Sequence, residues 1–154
     1  MPNLMSESEV SLDSLAAHLE NAGWSVEQHD NHLRLRSDAG YSYSLQLDTE
    51  RCFISFSCFY PVDKDYDEPL ELVNRLNAQV FLANFSIDAD RDLRITYAMS
   101  YSRGLIVPQF SRMVRRFGSL IEYVRNEYDT DGRVFNIGGE DAEAGEDTEE
   151  RVLQ

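Results

Sequence analysis

The amino-acid sequence predicts an α+β fold, an antiparallel sheet with helices in the order α-β-β-β-β-α-β-β-α. Three observations predict it. Four short runs between Trp24 and Tyr60 alternate apolar and polar residues and are separated by Gly, Asn and Asp, the signature of strands in a meander. Three other stretches place apolar residues at helical spacing. Between the second and third of these lies a further alternating pair around a tight acidic turn, so that Pro69 to Tyr128 reads helix, strand, turn, strand, loop, helix.

Residues 1–10 are polar and acidic and read as a flexible leader. Ser11 is placed to cap a helix to Ala22, with Leu12, Leu15, Ala16, Leu19 and Ala22 on its stripe. Gly23 is its stop. Trp24–Gln28 and His32–Arg36 then flank His29-Asp30-Asn31 as a hairpin. Tyr41–Leu47 follows Asp38-Ala39-Gly40, and Arg51–Tyr60 follows Asp48-Thr49-Glu50. Alternation turns Leu33, Leu35, Tyr43, Leu45 and Leu47 inward and Arg34, Arg36, Ser44 and Gln46 outward. The fourth run is apolar or small on both faces: Cys52, Ile54 and Phe56 against Phe53, Ser55, Ser57 and Phe59. That is the pattern of a central strand covered on each side.

Pro61 ends this run, and an acidic loop, Val62 to Glu68, leads into a helix from Pro69 to Val80 with Leu72, Val73, Leu76 and Val80 on its stripe. Phe81–Asp88 and Leu93–Ser100 form the second hairpin. Pro108 suits a helix start. The last helix carries a broad stripe of Phe110, Met113, Val114, Phe117, Leu120, Ile121, Val124 and Tyr128. Gly118 interrupts it at a cost of ~1 kcal/mol relative to Ala, which the close approach of another backbone would offset. That backbone belongs either to the domain's own sheet or to a second subunit. From Asn136 the composition turns acidic, with seven carboxylates before Arg151. The expected organisation is one domain over 11–135 and a disordered acidic tail over 136–154.

Net charge is −14 and the sequence pI about 4.5. That field repels phosphate backbones and anionic membranes and favours cationic partners. Direct nucleic-acid binding and membrane association are therefore not expected. No run approaches the ~20 apolar residues of a membrane span, and no signal segment is visible. Cys52 and Cys58 lie six residues apart, roughly 20 Å along an extended strand, too far to be bridged. Buried free thiols fit a reducing cytoplasm.

Reactive constellations are hard to find. Asp88-Ala-Asp90-Arg-Asp92 opens like a calcium loop, but the required Gly and Glu positions hold Leu93 and Met99. Asp63, Asp65, Asp67 and Glu68 sit where acids help to cap a helix. His29 and His32 flank one turn and read as exposed, without a third ligand. We expect no catalytic residues, no metal and no cofactor. One basic patch stands out: Arg112, Arg115 and Arg116 at i, i+3, i+4, with Arg103 upstream.

The segments Leu72-Val-Asn-Arg-Leu-Asn77, Asn84-Phe-Ser-Ile-Asp88, Leu93-Arg-Ile and Gly104-Leu-Ile resemble the YbjN family of bacterial proteins over about residues 10–128. That family is similar in fold to type III secretion chaperones, which are small acidic dimers. The resemblance implies a homodimer that binds a segment of another protein. By the same analogy the interface draws on Leu72, Leu76, Phe81 and Phe85. Phe110, Met113, Phe117 and Gly118 of the last helix complete the candidate dimer or partner surface. The functional expectation is a non-enzymatic, cytoplasmic, chaperone-like adaptor in bacterial stress response or regulation. The alternative is an acidic regulator that engages a basic protein through its charged surface and tail.

Overall fold

The computed structural model describes residues 3–129. The acidic tail expected over 136–154 lies outside the described residues, as do 130–135. The elements run β1 (Leu4–Met5), a 3₁₀ turn (Glu7–Glu9), α1 (Leu12–Asn21), β2 (Val26–Gln28), β3 (Leu33–Arg36), β4 (Ser42–Asp48) and β5 (Phe53–Pro61). They continue with α2 (Pro69–Gln79), β6 (Asn84–Ile87), β7 (Asp92–Ser100), β8 (Leu105–Ile106) and α3 (Val107–Tyr128). The predicted α+β order is present, with two short strands added. Strands β2-β3-β4-β5-β7-β6 form one antiparallel sheet in that order, and β1 and β8 pair separately.

Local sequence explains most boundaries. The Ser11 hydroxyl accepts the Ser14 N–H at 3.0 Å and so caps α1. Gly23, at φ +97°, carries the chain out of α1 while the Trp24 N–H returns to the Leu19 carbonyl. The Asp48 carboxylate accepts the Arg51 N–H at 3.0 Å and closes the turn before β5. Cys52, at φ +59°, completes that turn, so β5 begins at Phe53, two residues later than the run from Arg51 suggests.

Registers put one set of side chains on a single face. Leu33 pairs with Leu45, Leu45 with Phe56, Phe56 with Tyr97, and Phe85 with Ile95. Helices cover this face. Phe110 and Phe117 of α3 approach the Phe56 ring at 6.5 and 5.7 Å, and Phe117 stacks on Tyr43 at 5.3 Å. The buried Tyr43 hydroxyl donates to the Val114 carbonyl at 2.7 Å and joins β4 to α3. Ser111 of α3 meets His18 of α1 at 2.6 Å. Tyr128 of α3 donates to Gln79 of α2 at 2.8 Å.

Three expectations are corrected. The fourth run was read as covered on both sides, but no described helix lies over Phe53, Ser55, Ser57 and Phe59; Phe53 is 38% exposed. All three helices pack on the opposite face, because that face alone presents large apolar side chains from every strand. The first ten residues were read as a flexible leader. Leu4 and Met5 instead pair with Ile106 and Leu105, the Asn3 carbonyl accepts the Val107 N–H at 2.9 Å, and Val10 is buried. A partner a hundred residues away supplies the ladder that local composition could not announce. Finally, the sixth strand starts at Asn84 rather than Phe81, since Leu82 takes φ +96° and breaks the extended run.

Candidate functional site

The apolar candidates divide sharply by exposure. Leu72, Leu76, Phe85, Phe110, Met113, Phe117 and Gly118 are all buried in the single chain's own core. Their apolar area is already spent inside the protomer. Gly118 has an intramolecular reason: a Cβ there would lie 2.7 Å from the Ser37 Cβ and 3.4 Å from the Tyr43 ring. Phe81 differs. It is 87% exposed, and the strained backbone of Leu82 beside it turns it away from the sheet. Leu70 is 71% exposed on the first turn of α2.

Arg112, Arg115 and Arg116 all lie on the exposed side of α3. Among the described residues none of the three forms an ion pair. Arg103 is set apart in the turn before β8, at φ +70°, where its N–H donates to Glu7 at 2.9 Å.

The acidic clusters are turn chemistry. The Asp88 carboxylate accepts the N–H groups of Asp90 and Asp92 at 3.0 and 2.9 Å. Asp63 likewise accepts the Asp65 N–H at 2.9 Å. Among the described residues no three His, Cys, Asp or Glu side chains gather as a metal would require. The histidine expectation changes: His32 is fully buried, not exposed. Residues Asp30 and Asn31 turn the chain so tightly that His29 and His32 stack at 4.5 Å. His29 also meets Glu27 at 3.0 Å. Burial pushes up the pKa of both thiols, with Glu7 and Asp48 adding to the effect at Cys52.

The two edges of the sheet are finished differently, and no sequence motif announced it. On β6 the Asp88 N–H bonds to the Asp92 carbonyl, so alternation of the ladder turns the N–H and C=O of Phe85 outward. Asn77 of α2 meets both: its carboxamide donates to the Phe85 carbonyl and accepts the Phe85 N–H, each at 2.9 Å. A side chain thus stands in for a neighbouring strand. On β2 the His29 N–H bonds to the His32 carbonyl, which turns the main-chain groups of Val26 and Gln28 outward. Among the described residues nothing bonds them. Beside this edge lies a cleft of about 740 Å³ lined by Trp24, Val26 and Leu35 together with Glu20, Glu27, Arg34 and Arg36.

Among the described residues, a one-sided antiparallel sheet under three helices, with the β2 edge open and Phe81 projecting, makes up a small α+β domain. The family model for YbjN, described as "Putative bacterial sensory transduction regulator", matches residues 11–129. The chain belongs to the YbjN family. Among solved structures it is similar to YbjN from E. coli, described as "a putative transcription regulator". The two are 23% identical with a TM-score of 0.67, over 82% of this chain and 96% of that one. It is also similar to a chain of the HopA1–SchA chaperone–effector complex, at 20% identity and a TM-score of 0.50, over 75% of this chain and 88% of that one. At these identities the likeness is one of fold. No curated protein sequence matches the chain.

Proposed function

We propose that the chain is a non-enzymatic, chaperone-like adaptor that binds a segment of another protein and serves a regulatory or stress-response role in the bacterial cytoplasm. The observation that carries this reading is Phe81, an aromatic side chain 87% exposed beside a strained backbone. Backbone strain of this kind costs of order 1–3 kcal/mol and is kept where a binding surface uses it. Buried aromatic anchors supply most of the energy of protein interfaces. The fold shared with a chaperone–effector complex agrees with this role.

The protein acts as a homodimer in this reading, with Phe81 at a protein contact. The net charge of −14 favours one second reading, a regulator that attracts a basic protein. Capture of partners from the native cell at low and high salt, with the native chain and with Phe81→Ala, separates the two. The adaptor reading predicts capture that survives high salt and is lost in F81A. Capture that disappears with salt and is indifferent to F81A overturns it in favour of the charge reading.

A further inference from the structure

We infer that the open edge of β2 is the seat of the partner segment, and that the segment binds there as an added strand with apolar and basic residues in alternation. This rests on the adaptor reading and assigns it a place. Main-chain groups set the form of the occupant. The outward N–H and C=O of Val26 and Gln28 repeat at strand spacing, and an extended polypeptide matches such a row. The opposite edge is closed at Phe85 by Asn77, so among the described residues β6 keeps no two successive outward-bonding residues open.

Charge sets the side chains. Glu27 lies between the two outward-bonding residues, so the occupant's residue opposite it sits in the closer, non-hydrogen-bonded pair of an antiparallel ladder. Asp13, Glu20 and Asp30 lie around the strand, while His29 meets Glu27 at 3.0 Å, Arg34 is the register partner of Glu27 and Arg36 lines the same cleft. The preference for a basic occupant therefore rests on the chain's net charge of −14 together with Glu27. Lysine or arginine facing Glu27 is favoured by cross-strand pairing. A second copy of this chain fits poorly, because antiparallel pairing of β2 with itself about Glu27 would set two carboxylates opposite each other. Residues of the occupant on the other face meet Trp24 and Val26 at the cleft, which calls for apolar side chains there.

The test uses the full-length protein and the synthetic heptapeptide Lys-Val-Lys-Thr-Lys-Val-Lys. Backbone NMR with amide exchange should show the Val26 and Gln28 N–H groups gaining protection of tenfold or more on addition of the peptide. A peptide of the same composition with its lysines in one block should bind at least tenfold more weakly. Val26→Pro removes an outward N–H and leaves the β2–β3 ladder intact, so it should abolish binding with the far-ultraviolet spectrum unchanged. Should V26P misfold, the exchange map of the unmutated protein decides by itself. Protection elsewhere, equal binding of the blocked peptide, or no binding overturns the edge assignment. The Phe81 capture experiment reads out separately, so an adaptor that holds its partner only through Phe81 is told apart from one that binds no protein segment.

Discussion

At the scale of single residues, Gly118 shows how close packing overrides helix propensity. Replacing it with Ala would gain up to ~1 kcal/mol of helix preference but would drive a methyl group to 2.7 Å from the Ser37 Cβ, against the ring of Tyr43. Overpacking of this kind costs ~1–3 kcal/mol. Gly118→Ala is therefore expected to lower stability by about 1–2 kcal/mol, read as a shifted urea midpoint with an unchanged slope. His18 gives a pH signature. Burial lowers its imidazole pKa below the ordinary value, so the unfolded chain takes up the proton first. Its contribution is complete above the unfolded pKa of about 6.5 and declines as pH falls below that. Melting temperatures from pH 8 to pH 5.5 should fall more steeply for the native chain than for His18→Gln. A steeper fall in H18Q would contradict this. Parts of this were plain in the sequence. The glycine announced a close approach, although only the fold identifies Ser37 and Tyr43 as the neighbours. His32 was misjudged because its burial depends on stacking across a tight turn, which carries no periodic signal.

At the scale of elements, the edges decide behaviour. Asn77 satisfies the outward N–H and C=O of Phe85 from the neighbouring helix, the kind of closure that keeps an edge strand from pairing with foreign chains. Asn77→Ala should cost about 1–2 kcal/mol through two lost hydrogen bonds. It should also make the protein self-associate as concentration rises, measured by denaturation and light scattering together. Loss of stability without association would show that Asn77 supports α2 without guarding the edge. The strands and helices themselves were legible. Alternation at Leu33 and Leu35, at Tyr43 and Leu45, and at Ile54, Phe56 and Cys58 names the face that packs. Three helical stripes name what packs on it. The β1–β8 pair and the Asn77 closure were not legible, since each joins short segments through contacts that leave no local pattern. Phe81 was read as a strand residue because Phe81, Ala83 and Phe85 alternate correctly; the positive φ of Leu82 breaks that alternation and exposes Phe81.

At the scale of the whole molecule, the proposed function joins a net charge of −14 to two features of the described residues, the open edge of β2 and the exposed ring of Phe81. That charge would speed the approach of a basic partner, an effect that salt screens over ~10 Å at 0.1 M. Most of the apolar stripes that suggested a dimer are consumed inside the protomer, so the proposed homodimer draws on the apolar side chains left exposed, of which Phe81 is the most exposed. Light scattering at micromolar concentration should report twice the 17.7 kDa chain mass, and Phe81→Ala should shift it toward the monomer. A monomeric native protein would remove the dimer from the account and leave segment binding standing. The central claim is that a short extended segment of another protein is what this domain recognises. It is tested most directly by calorimetric titration of the full chain with overlapping peptides spanning a captured partner. The account predicts that one peptide, unfolded when free, binds within about tenfold of the whole partner's affinity, with a negative heat-capacity change from apolar burial. Binding only to the folded partner, with every peptide inert, would contradict it.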